Sequence, residues 1–333
     1  LQSLQHILLF PMCHCCPSIL LLRGFQRRLP PLLRLLLLLR PSLWPVWLGI
    51  GLLWPLHWLP LPLQAAIGNA LGGLLALLPG RRRRIVETNL ALCFPDLSPG
   101  RRRRLLRQTF QASARATLEH GLVWWGSEAR LRRLIRIDNP EAALGDGARP
   151  VIWLAPHFVG LDMGGTRLTL DFTAASMYAT AKNPVANKMM LHGRSRFSSP
   201  TLIAKSDGIK PVLRALKDRL PFYYLPDQDQ GRQNAVFVPF FGVPAATLSA
   251  LPRLAKLTDA QIVPVVTRQL PWGRGYAVRF YPPWENYPSG DLEADVARMN
   301  AFIEARVREM PPQYLWLHRR FKTRPAGEAS LYE

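Results

Sequence analysis

Acidic side chains are scarce in this chain. Its 333 residues carry 22 Asp and Glu against 43 Lys and Arg, a formal net charge of +21. Such a surface turns toward polyanions: nucleic acid, anionic lipid or an acidic protein. Lysine is scarce as well, only seven of those basic residues, and the arginine that replaces it suits bidentate contact with phosphate. Cysteine is confined to Cys13, Cys15, Cys16 and Cys93. Four thiols so placed give no disulfide framework, which fits a reducing, cytoplasmic location. Three of them crowd near His6 and His14, but their C-x-C-C spacing matches no usual zinc pattern. Neither a phosphate-binding loop nor a dinucleotide fingerprint is present, and the body of the chain carries no repeats.

The initiator methionine is also missing, so Leu1 points to a non-standard start or to one placed upstream of the true one. Residues 1–40 are basic and leucine-rich, with arginines breaking each apolar run, as in a lead-in lying at a membrane surface. No small-residue site closes a compact apolar region there, which argues against a cleaved signal peptide. From residue 41 to 80 there is no Asp, Glu, Lys or Arg at all. The part from Leu43 to Leu59 is about long enough to cross or enter a bilayer core of ~30 Å, and Trp44, Trp47, Trp54 and Trp58 resemble interfacial anchors. Pro45, Pro55, Pro60 and Pro62 argue against one straight helix. The expectation is an N-terminal membrane anchor, spanning or re-entrant, followed by a surface segment over Ala65–Leu78. A buried hydrophobic hairpin is the alternative. The Arg81–Arg84 block that follows favours the cytoplasmic side. The expected organisation is thus a lead-in at 1–40, an anchor at 41–80 and a catalytic domain at 81–333.

The body centres on the stretch VIWLAPHFVGLDMGG, Val151–Gly165. Val151–Ala155 reads as a short buried strand, ended by Pro156. His157 follows, and Asp162 stands five positions on. On one helix these side chains would diverge by roughly 140°. They converge only if His157 lies on the loop leaving the strand and Asp162 in the first turn of the next helix. An imidazole beside a carboxylate at a strand's carboxyl end is suited to general-base catalysis, the carboxylate fixing the tautomer. No Ser or Cys lies within the stretch, so the hydroxyl to be activated would belong to the substrate. A bare H-x4-D also fits an ordinary loop histidine followed by a helix-capping aspartate.

Around this centre the pattern is α/β: a central mixed sheet flanked by helices. Residues 85–137 read as helices. Strands are predicted at 172–180, 201–204, 221–226, 262–266 and 277–281, with helices at 185–196, 209–220, 247–257 and 292–310. Asp227 and Asp229 stand at a strand end, as His157 does. Their D-x-D fits a turn or a substrate-positioning role better than a metal site. Arg194 and Arg196 are candidates to clamp phosphate or stabilise an oxyanion. The aromatic run Phe237–Phe241 fits either an acyl groove or a packed core.

Five segments in order carry a resemblance: NLALCFPDLS (Asn89–Ser98), the H-x4-D of PHFVGLD, KNPVANKMMLHGRSRF (Lys182–Phe197), YLPDQDQGRQNAVFVPFFGVPAAT (Tyr224–Thr247) and QYLWLHRRFKTRP (Gln313–Pro325). Together they resemble the late acyltransferases of lipid A biosynthesis, within the wider lysophospholipid acyltransferase superfamily. The resemblance implies an inner-membrane enzyme facing the cytoplasm. It would move a fatty acyl chain from acyl carrier protein to a 3-hydroxyacyl hydroxyl on a phosphorylated, Kdo-bearing glycolipid acceptor. His157 would be the base and Asp162 its orienter, although many relatives carry glutamate at that place. Arg194 matches a family arginine of the active site, and Asp227 and Asp229 match its D-x-D segment. Arg319, Arg320 and Lys322 would bind phosphate or the carrier protein. No cofactor, metal or nucleic acid is implied. The rival readings are another H-x4-D acyltransferase, acting on glycerol phosphate, lysophospholipid or a mannosylated phosphoinositide, a membrane-anchored nucleic-acid-binding protein, and a non-catalytic scaffold.

Overall fold

The computed structural model describes residues 38–332. The leucine-rich lead-in as far as residue 37, with Cys13, Cys15 and Cys16, lies outside the described residues. The chain opens with helices α1 (Trp44–Leu56), α2 (Leu61–Leu75), α3 (Arg81–Cys93), α4 (Pro99–Trp125) and α5 (Glu128–Leu134). Helix α4 starts where Ser98 accepts a hydrogen bond from the Arg101 N–H, with Pro99 in the first turn, and α5 has the same cap at Ser127. These hydroxyls satisfy amide groups that a helix start leaves without partners.

The sheet follows: β1 (Ile135–Asp138), β2 (Val151–Leu154), α6 (Leu161–Leu168), β3 (Ala175–Tyr178), α7 (Pro184–Arg194), β4 (Thr201–Ala204), α8 (Lys210–Lys217) and β5 (Phe222–Tyr224). A hairpin, β6 (Ala235–Phe240) and β7 (Val243–Leu248), comes next. Helix α9 (Ala250–Thr258), β8 (Gln261–Gln269), β9 (Tyr276–Phe280) and α10 (Leu292–Glu309) complete the order. Seven strands form one sheet in the order β1-β9-β8-β2-β5-β3-β4. It is mixed: β2 is parallel to β5 and β8, β8 is antiparallel to β9, and β9 is parallel to β1.

Strand β2 is central and wholly buried, which accounts for an uninterrupted apolar run. Its residues alternate between two cores. Ile152 and Leu154 join a cluster with Leu90, Leu216, Val296 and Trp316. Val151 and Trp153 join one with Leu131, Met163, Val263 and Phe280. Helices on both faces therefore hold the strand, and its carboxyl end is a fixed platform for the loop beyond it.

The spanning form of the expected anchor finds no support in the described residues. Among the described residues no helix is long and apolar enough to cross a membrane. The charge-free stretch is cut into α1, 13 residues, and α2, 15 residues, where a span needs about 20. Pro60 and Pro62 cause the cut: neither has an amide proton to continue α1, and Pro62 suits the first turn of α2. Helix α2 instead lies hard on α4. A Cβ at Gly72 would stand 2.5 Å from Gln111 Cα and from the Phe110 carbonyl oxygen, so the two helices meet backbone to backbone.

Two details differ from the sequence pattern, and a third settles between its alternatives. Ile135–Ile137, read as helical, belongs to β1; its β-branched residues at alternate positions favour an edge strand over the arginine-rich helical rhythm before it. Thr247 and Leu248, read as helix, end β7. That strand, VPAATL, has weak β-propensity and is held by pairing along its whole length with β6. The aromatic run falls in this hairpin, and Phe240 is fully buried in the main core, so it lines no groove.

Candidate active site

His157 stands on the loop after β2, and Asp162 in the first turn of α6, as their spacing requires. They do not pair. The Nδ1 of His157 lies 2.6 Å from Oδ1 of Asp227, and the His157 main-chain N–H donates to the other oxygen at 2.9 Å. Asp227 is 1% exposed and arrives from the end of β5, the neighbour of β2. Held by an ionised carboxylate, Nδ1 must be the donor, which leaves Nε2 as the basic, partly exposed nitrogen. The carboxylate that bonds His157 is therefore Asp227, not the Asp162 expected from the spacing. The reason is steric economy: one carboxylate at an adjacent strand end reaches both donors of His157, whereas the helical Asp162 is engaged elsewhere.

Asp162 bonds Arg194, at the last turn of α7, with Nη2 at 2.8 Å and Nε at 3.3 Å. Burial raises the Asp162 carboxyl, but the charges of Arg194 and His120 and the Arg194 hydrogen bond outweigh it and hold it below the usual range. Asp227 behaves alike: burial raises it, while the His157 charge, its two hydrogen bonds and Arg320 beyond bring it down. Both carboxylates are ionised at neutral pH.

Asp229 turns away from the reaction centre. It accepts from the Thr323 N–H and hydroxyl and from the Gly231 N–H, closing a turn and tying down the C-terminal block. Among the described residues no group of three or more His, Cys, Asp or Glu is placed to hold a metal. Arg320, expected to bind phosphate or the carrier protein, is 2% exposed. It donates to the Ala246 carbonyl, Thr247 Oγ1 and Asn300 Oδ1 and is a core cross-link. Arg196 spends its guanidinium on the Val123 and Gly126 carbonyls at the end of α4.

The geometry adds residues that the sequence did not single out. The main-chain N–H of Asp229 donates to Nε2 of His318 at 3.0 Å. That nitrogen is an acceptor, so the proton of the neutral ring sits on Nδ1. Burial first, then the charges of His157 and Arg320, push His318 down to about 3. One short segment, Asp227-Gln228-Asp229, thus holds two imidazoles of the same tautomer by opposite nitrogens: His157 by Nδ1, leaving an acceptor, and His318 by Nε2, leaving an N–H.

The C-terminal segment also clamps the histidine loop. Leu315 N–H donates to the His157 carbonyl at 3.0 Å, and Val159 N–H to the Gln313 carbonyl at 2.8 Å. Gln313 exchanges side-chain bonds with the Gln269 backbone. Gln269 bonds Tyr276 at 3.1 Å, Tyr276 donates to Glu119, and Glu119 pairs with Arg115 at 3.2 Å, both buried. The same segment is pinned to α3, where Asn89 donates to the carbonyls of Trp316 and His318.

Beside Asp162 and Arg194 a narrow cavity of about 60 Å³ runs between α6 and the sheet, walled by Trp153, Leu168, Met177, Leu202, Tyr223 and Leu225. Chemically, the arrangement is a base on a rigid loop, a neighbouring N–H, a guanidinium and an apolar slot.

The family model for bacterial lipid A biosynthesis acyltransferases matches residues 34–323. The chain is 36% identical to the lipid A biosynthesis lauroyltransferase of Escherichia coli K12, over 89% of this chain and 97% of that one. To the palmitoleoyltransferase of the same organism it is 33% identical, over 88% and 96%, and to its myristoyltransferase 29%, over 88% and 91%. Among solved structures, the 1-acyl-sn-glycerophosphate acyltransferase of Thermotoga maritima aligns with 69% of this chain and 98% of its own, at 18% identity and a TM-score of 0.35.

Proposed function

We propose that this chain, which belongs to the bacterial lipid A biosynthesis acyltransferase family, transfers a fatty acyl group from acyl carrier protein to the hydroxyl of a 3-hydroxyacyl chain on a Kdo-bearing lipid A precursor. The observation that carries the mechanism is the Asp227–His157 pair, 2.6 Å apart, with Nε2 left free. His157 Nε2 takes the proton of the acceptor hydroxyl as its oxygen attacks the thioester carbon. Asp227 stabilises the imidazolium that forms. The tetrahedral intermediate then collapses, the carbon–sulfur bond breaks, and the imidazolium returns its proton to the departing sulfur. Charge develops on the thioester oxygen, and Arg194 and the Nδ1–H of His318 are the donors nearest in kind to what that oxygen requires. The apolar slot beside Arg194 takes the acyl chain. The strongly basic surface suits a phosphorylated acceptor and an acidic carrier protein.

The enzyme works at the cytoplasmic face of the inner membrane. Helices α1 and α2 and the turns after them expose Trp44, Leu48, Leu52, Trp54, Trp58, Leu74 and Leu77, with Leu48 74% exposed. An apolar face this large, followed directly by Arg81–Arg84, supports seating at an anionic lipid surface.

The test is mass spectrometry of products from detergent-solubilised full chain given mixed acyl carrier protein thioesters and the Kdo-bearing precursor, with His157→Ala alongside. One added acyl mass, lost in the variant, is expected. Acylation of glycerol phosphate or lysophospholipid instead would move the protein to another branch of the superfamily, and equal product from His157→Ala would remove the base.

A further inference from the structure

A second feature stands at the same end of the sheet as His157. Because β8 is parallel to β2 and antiparallel to β9, the end at which β2 delivers His157 is the end at which β8 stops and β9 and β1 begin. The loop joining β8 to β9, residues 270–275, and helix α5, which leads into β1, are therefore on the catalytic side. Between them and the start of α2 lies an open cleft of about 460 Å³, lined by Trp58, Leu61, Arg130, Arg133 and Arg274 among others.

The three arginines are not equivalent. Arg130 is structural: its guanidinium donates to the carbonyls of His57 and Leu59, where α1 gives way to α2. Arg133 and Arg274 are exposed, and among the described residues neither has an ion pair or a side-chain hydrogen bond. The cleft is nevertheless built on a rigid frame. Gly273, at φ +70°, brings the 270–275 loop so close to α2 that a Cβ there would stand 2.4 Å from Pro62 Cα. Next to it, Trp272 is held at φ +58° and is 81% exposed. A bulky residue in that region of backbone space is costly and persists at sites where the surroundings impose it. Trp272 and Trp58 thus stand out beside two unpaired guanidinium groups, on the margin of the apolar face of α1 and α2.

We propose that this cleft binds a phosphate group of the acceptor lipid, between Arg133 and Arg274, while the acceptor's hydroxylated chain reaches His157. The inference rests on the acyl-transfer reading and adds a headgroup site to it. The spacing is suitable: β2 and β1 are three strand positions apart, on the order of 14 Å, a distance that the headgroup and proximal chain of a glycolipid span. Unpaired guanidinium groups suit phosphate oxygens, and the tryptophans place the site at the depth where headgroups lie.

The experiment uses the full chain in detergent. Affinity for the phosphorylated precursor, and for the same precursor after phosphatase treatment, is measured for wild type and for the double variant Arg133→Gln, Arg274→Gln, with wild-type turnover recorded beside it. The expected result is an affinity for the phosphorylated precursor weakened about tenfold or more, with no change for the dephosphorylated one and no change in thermal midpoint. Equal affinity of variant and wild type for the phosphorylated precursor overturns the proposal. So does a loss shared by both precursors, or a defect confined to binding phosphatidylglycerol vesicles, which would assign the cleft to bulk lipid. Absence of wild-type turnover speaks against the acyl-transfer reading alone, because the affinities are read without chemistry.

Discussion

Replacing Asp227 by Asn and, separately, Asp162 by Asn distinguishes two accounts of the catalytic histidine. In the structure Asp227 receives both donors of His157, at 2.6 and 2.9 Å, from a position 1% exposed. An asparagine fits the same space and still accepts the main-chain N–H through its oxygen. Its amide nitrogen then faces Nδ1, which must become the acceptor, and the ring proton moves to Nε2. The base is lost without loss of shape. In a Ser-His-Asp hydrolase the same change costs roughly 10⁴ in kcat, which is about 5.5 kcal/mol of transition-state stabilisation. A loss of that order, on the order of 10³–10⁴, is expected here. Asp162→Asn removes the partner of Arg194, a pair with side chains 34% and 28% exposed, and leaves the His157 tautomer intact. Its expected cost is about tenfold, through the placement of Arg194. The assay is the initial rate of acyl addition at saturating donor, followed by mass spectrometry, with thermal midpoints to confirm folding. A loss greater for Asp162→Asn than for Asp227→Asn refutes the assignment and restores the H-x4-D pair as the dyad.

Three further outcomes are expected. His318 takes up a proton near 6.5 in the unfolded chain but only at about 3 in the folded one, so its contribution to stability is full above about pH 6.5 and declines as pH falls toward 3. His318→Gln, whose amide both accepts and donates, flattens denaturation-derived stability across that window by up to about 1.4 kcal/mol per pH unit and retains more activity than His318→Leu. Gly72→Ala forces a Cβ to 2.5 Å from the Phe110 carbonyl and Gln111 Cα; separating α2 from α4 costs about 1–3 kcal/mol, read as a fall in urea midpoint. Arg320→Met leaves the Asn300, Thr247 and Ala246 oxygens without their buried donor. It lowers stability by about 3 kcal/mol, whereas a phosphate-binding role would raise the KM for acceptor at unchanged stability.

The sheet was legible where side chains alone decide it. Val151–Leu154 is apolar because both faces are covered, and the loop position of His157 follows from Pro156 and the five-residue spacing to Asp162. The mixed α/β class follows from the alternation after residue 151. The partner of His157 was not legible, because Asp227 is near it only through the pairing of β2 with β5, which no local pattern records. His318 was hidden for the same reason: its state is set by a main-chain N–H, which has no letter in the sequence. The break of the charge-free stretch into two short helices was less legible, because hydropathy counts apolar residues without asking what covers them. In α2, Gln64, Gly68 and Gly72 are buried, while Leu63, Leu71 and Leu74 are exposed.

The clamp formed by residues 313–318 bears on how the protein is made. His157 leaves the ribosome near the middle of the chain, but Leu315, which holds its carbonyl, and His318 come near the end. Contacts between such distant segments form late, because closing the intervening loop costs entropy before any bond is gained. A nascent chain therefore already displays the arginine blocks and the apolar face of α1 and α2 while its histidine loop is still unsupported. Lipid contact can precede reactivity, and the base is set in its working state only when the last segment folds over it.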